Sequence, residues 1–400
     1  MKKKLAIICP ANYPVPSVKG GAIETLIDVF VEENEIYGKY DVVLYSYFDE
    51  LAFKESKKYN NTKFVYIKER KIINKIYNFF GKIIRKIFKT EINSIFLRNV
   101  IKDIEKKNIR EVIIEGNMEY VIPIKKSNKN INIYLHIHHE AFKCFTDKTS
   151  KISNSCKKII TVSEYVRKKT CMIDGIDDEK VVTLNNCTNI NLFTGENNIE
   201  SKEKLRKKYG INKSDKVILF SGRILPIKGI KELIMAFKKY CSTIEAKLLI
   251  VGDAGFAKSI KSEYDEELIE ISKDISDRII FTGFIHNKDL PMIHSIVDIA
   301  VVPSMWDEPA GLVVLEAMAS KLPLIVTKSG GITEYVDNEC AIVIERDEKI
   351  VDNIGKALLE LIRNDERRKS MGERGRRRSK KYSWDSYYNN FIDILNDSKE

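Results

Sequence analysis

Asp298-Ile299-Ala300-Val301-Val302-Pro303-Ser304-Met305-Trp306-Asp307-Glu308-Pro309-Ala310-Gly311-Leu312-Val313-Val314-Leu315-Glu316-Ala317-Met318-Ala319 is the stretch whose reading decides the fold. An apolar run of strand length breaks at Pro303, and a helix-like segment resumes after Pro309. Strand, loop and helix in that order form the building block of a doubly wound α/β sheet. The first amides of the helix lack internal partners, and the helix dipole is positive there. An anion site is therefore expected near Ala310, Gly311 and Leu312. Gly311 leaves the backbone bare, so a phosphate could approach closely. Glu308 lies before the helix and Glu316 more than a turn inside it. An anion with an acidic group on each side suits a ligand with a charged centre and hydroxyl-bearing ends, the form of a sugar nucleotide.

The same unit recurs upstream. Val217 to Phe220 reads as a strand, Ser221-Gly222-Arg223 opens a loop that closes at Lys228-Gly229, and a helix follows from Ile230. Arg223 and Lys228 would offer a planar fork and a point charge, a pairing suited to a diphosphate. Further strand-and-turn units are Leu248 to Val251, Ile279 to Thr282 with Gly283-Phe284-Ile285, and Leu324 to Thr327 with Gly330-Gly331. With Leu324 to Thr327 and its helix the alternation is expected to be complete.

The first half repeats the pattern. Leu5 to Cys9 is a continuous apolar run, as a central parallel strand covered on both faces requires. A loop containing Gly20 and Gly21 leads to a helix from Ala22. This is a phosphate cradle in outline, although neither the dinucleotide nor the Walker glycine pattern is present. Val42 to Ser46, Phe64 to Ile67, Glu111 to Glu115, Ile131 to Ile137, Lys158 to Val162 and Val181 onward read as further strands. One of them ends in His136-Ile137-His138-His139-Glu140. A metal there would need a third ligand, and the remaining histidines, His286 and His294, lie far along the chain, so no metal site is expected. Ser163 with Glu164 reads as a helix cap. Residues 195–208 turn polar and charged, which places the domain boundary at 195/196.

Bulk composition agrees with two domains. The chain has 400 residues, 44% hydrophobic and 31% charged, with a formal charge of +11 that favours anionic partners. Its 7 cysteines are scattered without a C-x-x-C pair, which fits a reducing, cytoplasmic compartment. The N-terminal apolar run is too short for a signal peptide, and no run approaches the ~20 residues of a membrane span. Residues 68–89 read as a basic amphipathic helix that could lie on an anionic membrane face. The basic stretch 367–381 lacks interleaved aromatics, so it reads as a solvated helix, and no nucleic-acid partner is expected.

These motifs, in this order, resemble the retaining glycosyltransferases of GT-B fold, specifically glycosyltransferase family 4. The resemblance rests on Gly20-Gly21 with Glu24, on Thr161-Val162-Ser163-Glu164, and on Asn186-Cys187-Thr188-Asn189 with Phe193. It continues through Gly222-Arg223 with Lys228-Gly229 to the block Pro303 to Ala319, where Glu308 and Glu316 are separated by seven residues. Asn189 departs from the aspartate usual at that turn.

The resemblance implies two Rossmann-like domains, 1–195 for the acceptor and 196–382 for the nucleotide-sugar donor, facing a cleft. A final helix, 383–400, would cross back onto the first. It implies sugar transfer with retention, without metal or other cofactor; the absence of a D-x-D triplet agrees. Arg223 and Lys228 would neutralise the leaving diphosphate, Glu316 would bind the ribose, and Glu308 would face the transferred sugar. Gly222 and the amides of Ala310, Gly311 and Leu312 would meet sugar or phosphate oxygens, Phe284 and Ile285 would line the base pocket, and Gly20 and Gly21 would help hold donor or acceptor. The family's histidine would be His138 or His136, with His138 preferred. The expected role is building a glycan, glycolipid or other cell-envelope acceptor at the inner membrane face. The alternatives are a silent coat protein of the same fold, or an epimerase or phosphorylase.

Overall fold

The computed structural model describes residues 2–10, 13–68, 95–139, 148–195, 198–252 and 262–397. They form two units, one of residues 1–185 and 384–400, the other of residues 186–383.

In the first unit, seven parallel strands run β1 (Lys3–Ile8), β2 (Tyr40–Tyr47), β3 (Thr62–Ile67), β4 (Glu111–Glu115), β5 (Asn132–Ile137), β6 (Lys158–Thr161) and β7 (Val181–Thr183). Their spatial order is β3-β2-β1-β4-β5-β6-β7. The order reverses between β1 and β4, and a crevice at the carboxyl ends of such strands is where doubly wound sheets bind ligands. The continuous apolar character of β1 follows from its place: Leu5, Ala6, Ile7 and Ile8 are covered on both faces. Helix Ala22–Tyr37 joins β1 to β2, and helix Trp384–Asn396 packs on it. Phe30 meets Tyr388 and Phe391 at ring distances of 5.3 and 5.1 Å. The Tyr388 hydroxyl donates to Asn34 at 2.8 Å, and that of Tyr134 to the Leu395 carbonyl at 2.8 Å. The chain's end thus completes the first unit, as the resemblance implies.

In the second unit the strands are β8 (Lys216–Ser221), β9 (Ala246–Val251), β10 (Ile279–Gly283), β11 (Ile299–Val302), β12 (Leu324–Thr327) and β13 (Ala341–Ile344), ordered β10-β9-β8-β11-β12-β13. Alternation along each strand feeds two cores. Ile218, Phe220, Leu248, Ile250, Ile299 and Val301 pack under helices Ile230–Tyr240 and Ile350–Arg363. Val217, Leu219, Leu249, Ala300 and Leu324 face helix Leu312–Ala319 on the other side. The edge strand β13 is absent from the sequence expectation. It has four residues, and only its ends are fully buried, so its local signal is weak.

The units divide ten residues earlier than the polar composition suggests, because residues 186–195 are held by the second unit. The Asn186 amide donates to the Tyr335 hydroxyl at 3.2 Å and that of Thr188 to the Tyr382 carbonyl at 2.9 Å. Arg376 donates to the carbonyls of Ile190, Phe193 and Ala319 at 2.5, 3.0 and 2.8 Å. In the basic helix Asp365–Ser379, Arg368 and Arg378 are likewise turned onto carbonyl oxygens, of Leu361, Ile362, Tyr335 and Glu334. The basic stretch 68–89 lies outside the described residues apart from Lys68. No helix among the described residues is long and apolar enough to cross a membrane.

Candidate active site

In the second unit the order of strands reverses between β8 and β11, and the two loops quoted for chemistry leave the sheet there. After β8, Gly222 donates to the Val251 carbonyl at 2.9 Å, and Arg223 is exposed. Residues Pro226–Lys228 form one 3-10 turn, ended by Gly229 at φ 72°. A Cβ on Gly229 would lie 1.8 Å from the Pro303 carbonyl oxygen, so only glycine lets the two loops touch. The Met305 amide donates to the Ile227 carbonyl at 2.8 Å and binds the loops together.

That contact aims Lys228 at Glu308. Lys228 Nζ lies 2.5 Å from Glu308 Oε1, and Ser304 Oγ donates to the same oxygen at 2.5 Å. The ammonium also stands 5.4 Å above the Trp306 ring. Glu308 is buried, and its own carbonyl accepts from Gly331 at 2.7 Å. Thr327 donates to the Ser304 carbonyl at 2.7 Å, and Arg346 pairs with Asp307 at 2.5 Å. Ser304, Trp306 and Gly331 are the residues here that the sequence analysis gave no role. Ser304 and Trp306 sat inside the quoted stretch, with no local signal of their orientation.

Helix Leu312–Ala319 starts after Gly311 with no side chain capping it and no acid in its first turn, so its positive end is open. Ala310 and Leu312 are half-buried there. One turn in, Glu316 Oε2 is sealed from solvent and has no hydrogen-bond partner among the described residues. Burial alone pushes this carboxyl up to about 7. A buried acceptor without a donor is costly unless a ligand supplies one. Phe284 and Ile285 follow β10 at the same carboxyl edge of the sheet. Phe284 is exposed and meets His286 edge-on at 5.0 Å, whereas Ile285 packs on the core.

In the first unit, Gly20 and Gly21 precede helix Ala22–Tyr37. The place where an anion was expected holds the Glu24 carboxyl: a Cβ on Gly21 would lie 2.1 Å from Glu24 Oε2. Glu24 is pushed up to about 7 by burial; hydrogen bonds from its own and the Tyr13 amides oppose the shift, and the charges of Glu115 and Asp28 add to it. An acid folded over these amides disfavours phosphate and favours a hydroxyl-bearing ligand.

Parallel register sets Glu115, the last residue of β4, beside His136 on β5. His136 Nδ1 lies 3.1 Å from Glu115 Oε2, and His138 Nε2 lies 2.7 Å from the same oxygen. His136 is fully buried, its ring edge-on to Phe391 at 5.6 Å, whereas the His138 side chain keeps a small exposed surface. Burial pushes Glu115 up, but the charge and hydrogen bonds of the two histidines outweigh it and hold the carboxyl down at about 2. Burial, with the neighbouring His136, lowers His138 to about 4 against the pull of Glu115. The donor atoms of Glu115, His136 and His138 lie within 4.8 Å of one another, close enough to share a cation, the one such group among the described residues. In the sequence, the histidines His286 and His294 lie far along the chain, and it is the acid ending the neighbouring strand that joins the pair.

Residues 201–378 match the family model of glycosyl transferases group 1, a span holding every candidate of the second unit. YtcC of Bacillus subtilis strain 168, a glycosyltransferase by name, is 28% identical over 84% of this chain and 77% of its own length. Spore coat protein SA of the same strain is 24% identical over 98% of both chains. The lipopolysaccharide 1,2-N-acetylglucosaminetransferase of Salmonella typhimurium is 26% identical over 78% of this chain and 81% of its own. Among solved structures, a glycosyltransferase from Rickettsia africae superposes with a TM-score of 0.79, at 19% identity over 99% of this chain and 98% of that one. Anabaena Alr3699/HepE in complex with UDP gives 0.76, at 16% identity over 99% and 100%. The family match lies within the second unit, and the superpositions along the whole chain show that the fold is that of the GT-B structures.

Proposed function

We propose that the protein is a retaining glycosyltransferase of family 4, moving a sugar from a nucleotide-sugar donor to a glycan or lipid-linked acceptor of the cell envelope. The observation that carries this reading is the Lys228–Glu308–Ser304 group beside the open helix start at Gly311, with the unpartnered Glu316 one turn on. A donor diphosphate would draw Lys228 from Glu308 and meet Arg223 and the amides of Gly222, Gly311 and Leu312. Charge developing on the leaving group is then met by positioned cations and amides, with no metal required. Glu308, released, would support positive charge at the anomeric carbon. The ribose hydroxyls would donate to Glu316, the partner its buried oxygen lacks, and Phe284 and Ile285 would border the base.

The acid-lined Gly20–Gly21 turn suits acceptor hydroxyls. Work at the inner membrane face, with residues 68–89 on anionic lipid, completes the reading. The lipopolysaccharide relative supports an envelope acceptor, and UDP in the Anabaena neighbour makes UDP the first base to try.

The test is a thermal-shift screen against UDP, GDP, ADP and dTDP sugars, followed by transfer in the presence of EDTA. The anomeric configuration of the product is then read by NMR. Stabilisation by one sugar nucleotide and a retained, EDTA-insensitive product are expected; inversion or metal dependence would refute the mechanism. The full-length likeness to spore coat protein SA favours a structural role as the second reading. Stabilisation by no donor, with no donor hydrolysis, would favour it.

A further inference from the structure

We infer that Glu115 is a positioning residue that holds His138 in the tautomer with its proton on Nε2, so that His138 offers a ligand an acceptor nitrogen, Nδ1. The inference rests on the proposed function only for what the ligand is. Glu115 is buried, and one of its oxygens receives both imidazoles, His136 Nδ1 at 3.1 Å and His138 Nε2 at 2.7 Å. An ionised carboxylate only accepts hydrogen bonds, so the nitrogen facing it must carry a proton. The 2.7 Å approach of His138 Nε2 to this carboxylate therefore puts the ring's proton on Nε2. A neutral imidazole protonated on Nε2 has a bare Nδ1.

His136 keeps this arrangement from rotating. Its ring lies 4.2 Å from that of His138 and is wedged edge-on against Phe391, and its Nδ1 anchors Glu115. The sequence of contacts runs from Phe391 through His136 and Glu115 to His138, whose side chain is the most exposed of the four at 7%. An acceptor nitrogen takes the hydrogen of a hydroxyl and repels a phosphate or carboxylate oxygen. His138 therefore selects a sugar or acceptor hydroxyl, consistent with the acid at Glu24 on the same sheet edge.

The experiment reads the tautomer directly. Two-bond 1H–15N correlation spectra of histidine-labelled protein, without substrate at pH 7.5, distinguish Nε2–H, Nδ1–H and the doubly protonated ring. Wild-type His138 is expected as the Nε2–H form. Glu115→Met, which fills the site but accepts no hydrogen bond, should release it to a mixture, and transfer activity should fall at least tenfold in kcat. Glu115→Gln keeps an acceptor on the same frame and should retain most of the Nε2–H population. It also stands in should the methionine variant not fold, because its amide can donate as well, so a minor Nδ1–H population is expected. A wild-type ring protonated on Nδ1, a tautomer unchanged in Glu115→Met, or unaltered kcat in that variant would each overturn the inference. So would stoichiometric Zn2+ titrating all three side chains at once. The spectra do not depend on turnover, so a failed donor screen would refute the glycosyltransferase reading and leave the tautomer result standing.

Discussion

Lys228 Nζ and Glu308 Oε1 are 2.5 Å apart, an ion pair joining the loops after β8 and β11. Without ligand, the cation proposed for the diphosphate and the carboxylate proposed for the sugar neutralise each other. Both side chains are largely shielded from water, so the pair is stronger than a surface one and weaker than its bare Coulomb energy. A donor that takes the lysine would free the glutamate in the same step.

Lys228→Ala should weaken donor binding by a factor of roughly 10 to 100, the worth of a charge-assisted hydrogen bond. Glu308→Gln should leave donor affinity within a few-fold and lower kcat by roughly 100-fold. Calorimetry and steady-state kinetics on both variants check the division of roles. Equal effects on binding and turnover in the two would refute it.

Glu316 gives a pH dependence whose sign can be worked out. Its carboxyl titrates near 7 in the fold against 4.5 when exposed, so the folded state holds the proton more tightly. The associated stability is complete below pH 4.5 and is lost as pH rises to about 7, to a total of roughly 3 kcal/mol. Glu316→Gln should therefore match wild type in thermal unfolding at pH 4.5 and exceed it at pH 8. The same variant should bind donor roughly tenfold more weakly, since its amide cannot accept from two ribose hydroxyls. Differential scanning fluorimetry across pH checks the first effect, and calorimetry the second.

Gly229→Ala should be far more damaging than its size suggests. The position has φ 72° and no room beside Pro303, so strain and clash add to a loss above about 3 kcal/mol. Gly210 has a similar φ of 62° and open space around it, and Gly210→Ala should cost only about 1 kcal/mol. Urea unfolding of the pair isolates the loop contact from the backbone strain.

Arg376→Ala leaves three carbonyls without their donor and should destabilise the second unit by roughly 1–3 kcal/mol. Arg376→Lys should recover little, because one ammonium cannot span the three. Neither variant should alter retention on heparin or DNA columns if the helix is structural.

Co-sedimentation with anionic but not neutral liposomes is expected of the basic stretch 68–89, and replacing its lysines with glutamine should abolish it. Equal, negligible binding to both lipids would remove the membrane surface from the proposed function.

Much of the fold was legible because its signals are local. Leu5 to Cys9 and Val217 to Phe220 announce central strands by continuous apolarity, and Pro303 and Gly311 punctuate the loop between strand and helix. The loops at both switch points could thus be named before their geometry was known. The edge strand β13 and the boundary at 185/186 could not. A half-buried strand has little pattern, and residues 186–195 are claimed through Arg376, far along the chain.

What the sequence alone determined is the alternation of elements and the residue types available at each strand end. Which of them meet was decided by tertiary structure. Parallel register brings Glu115 to His136 and His138, and a close approach permitted only by Gly229 brings Lys228 to Glu308. Burial then leaves the Glu316 oxygen without a partner and pushes its carboxyl up. Hydrogen bonds and charge shifts depend on distances of a few ångströms between groups distant in sequence, and only the packed sheet sets those distances.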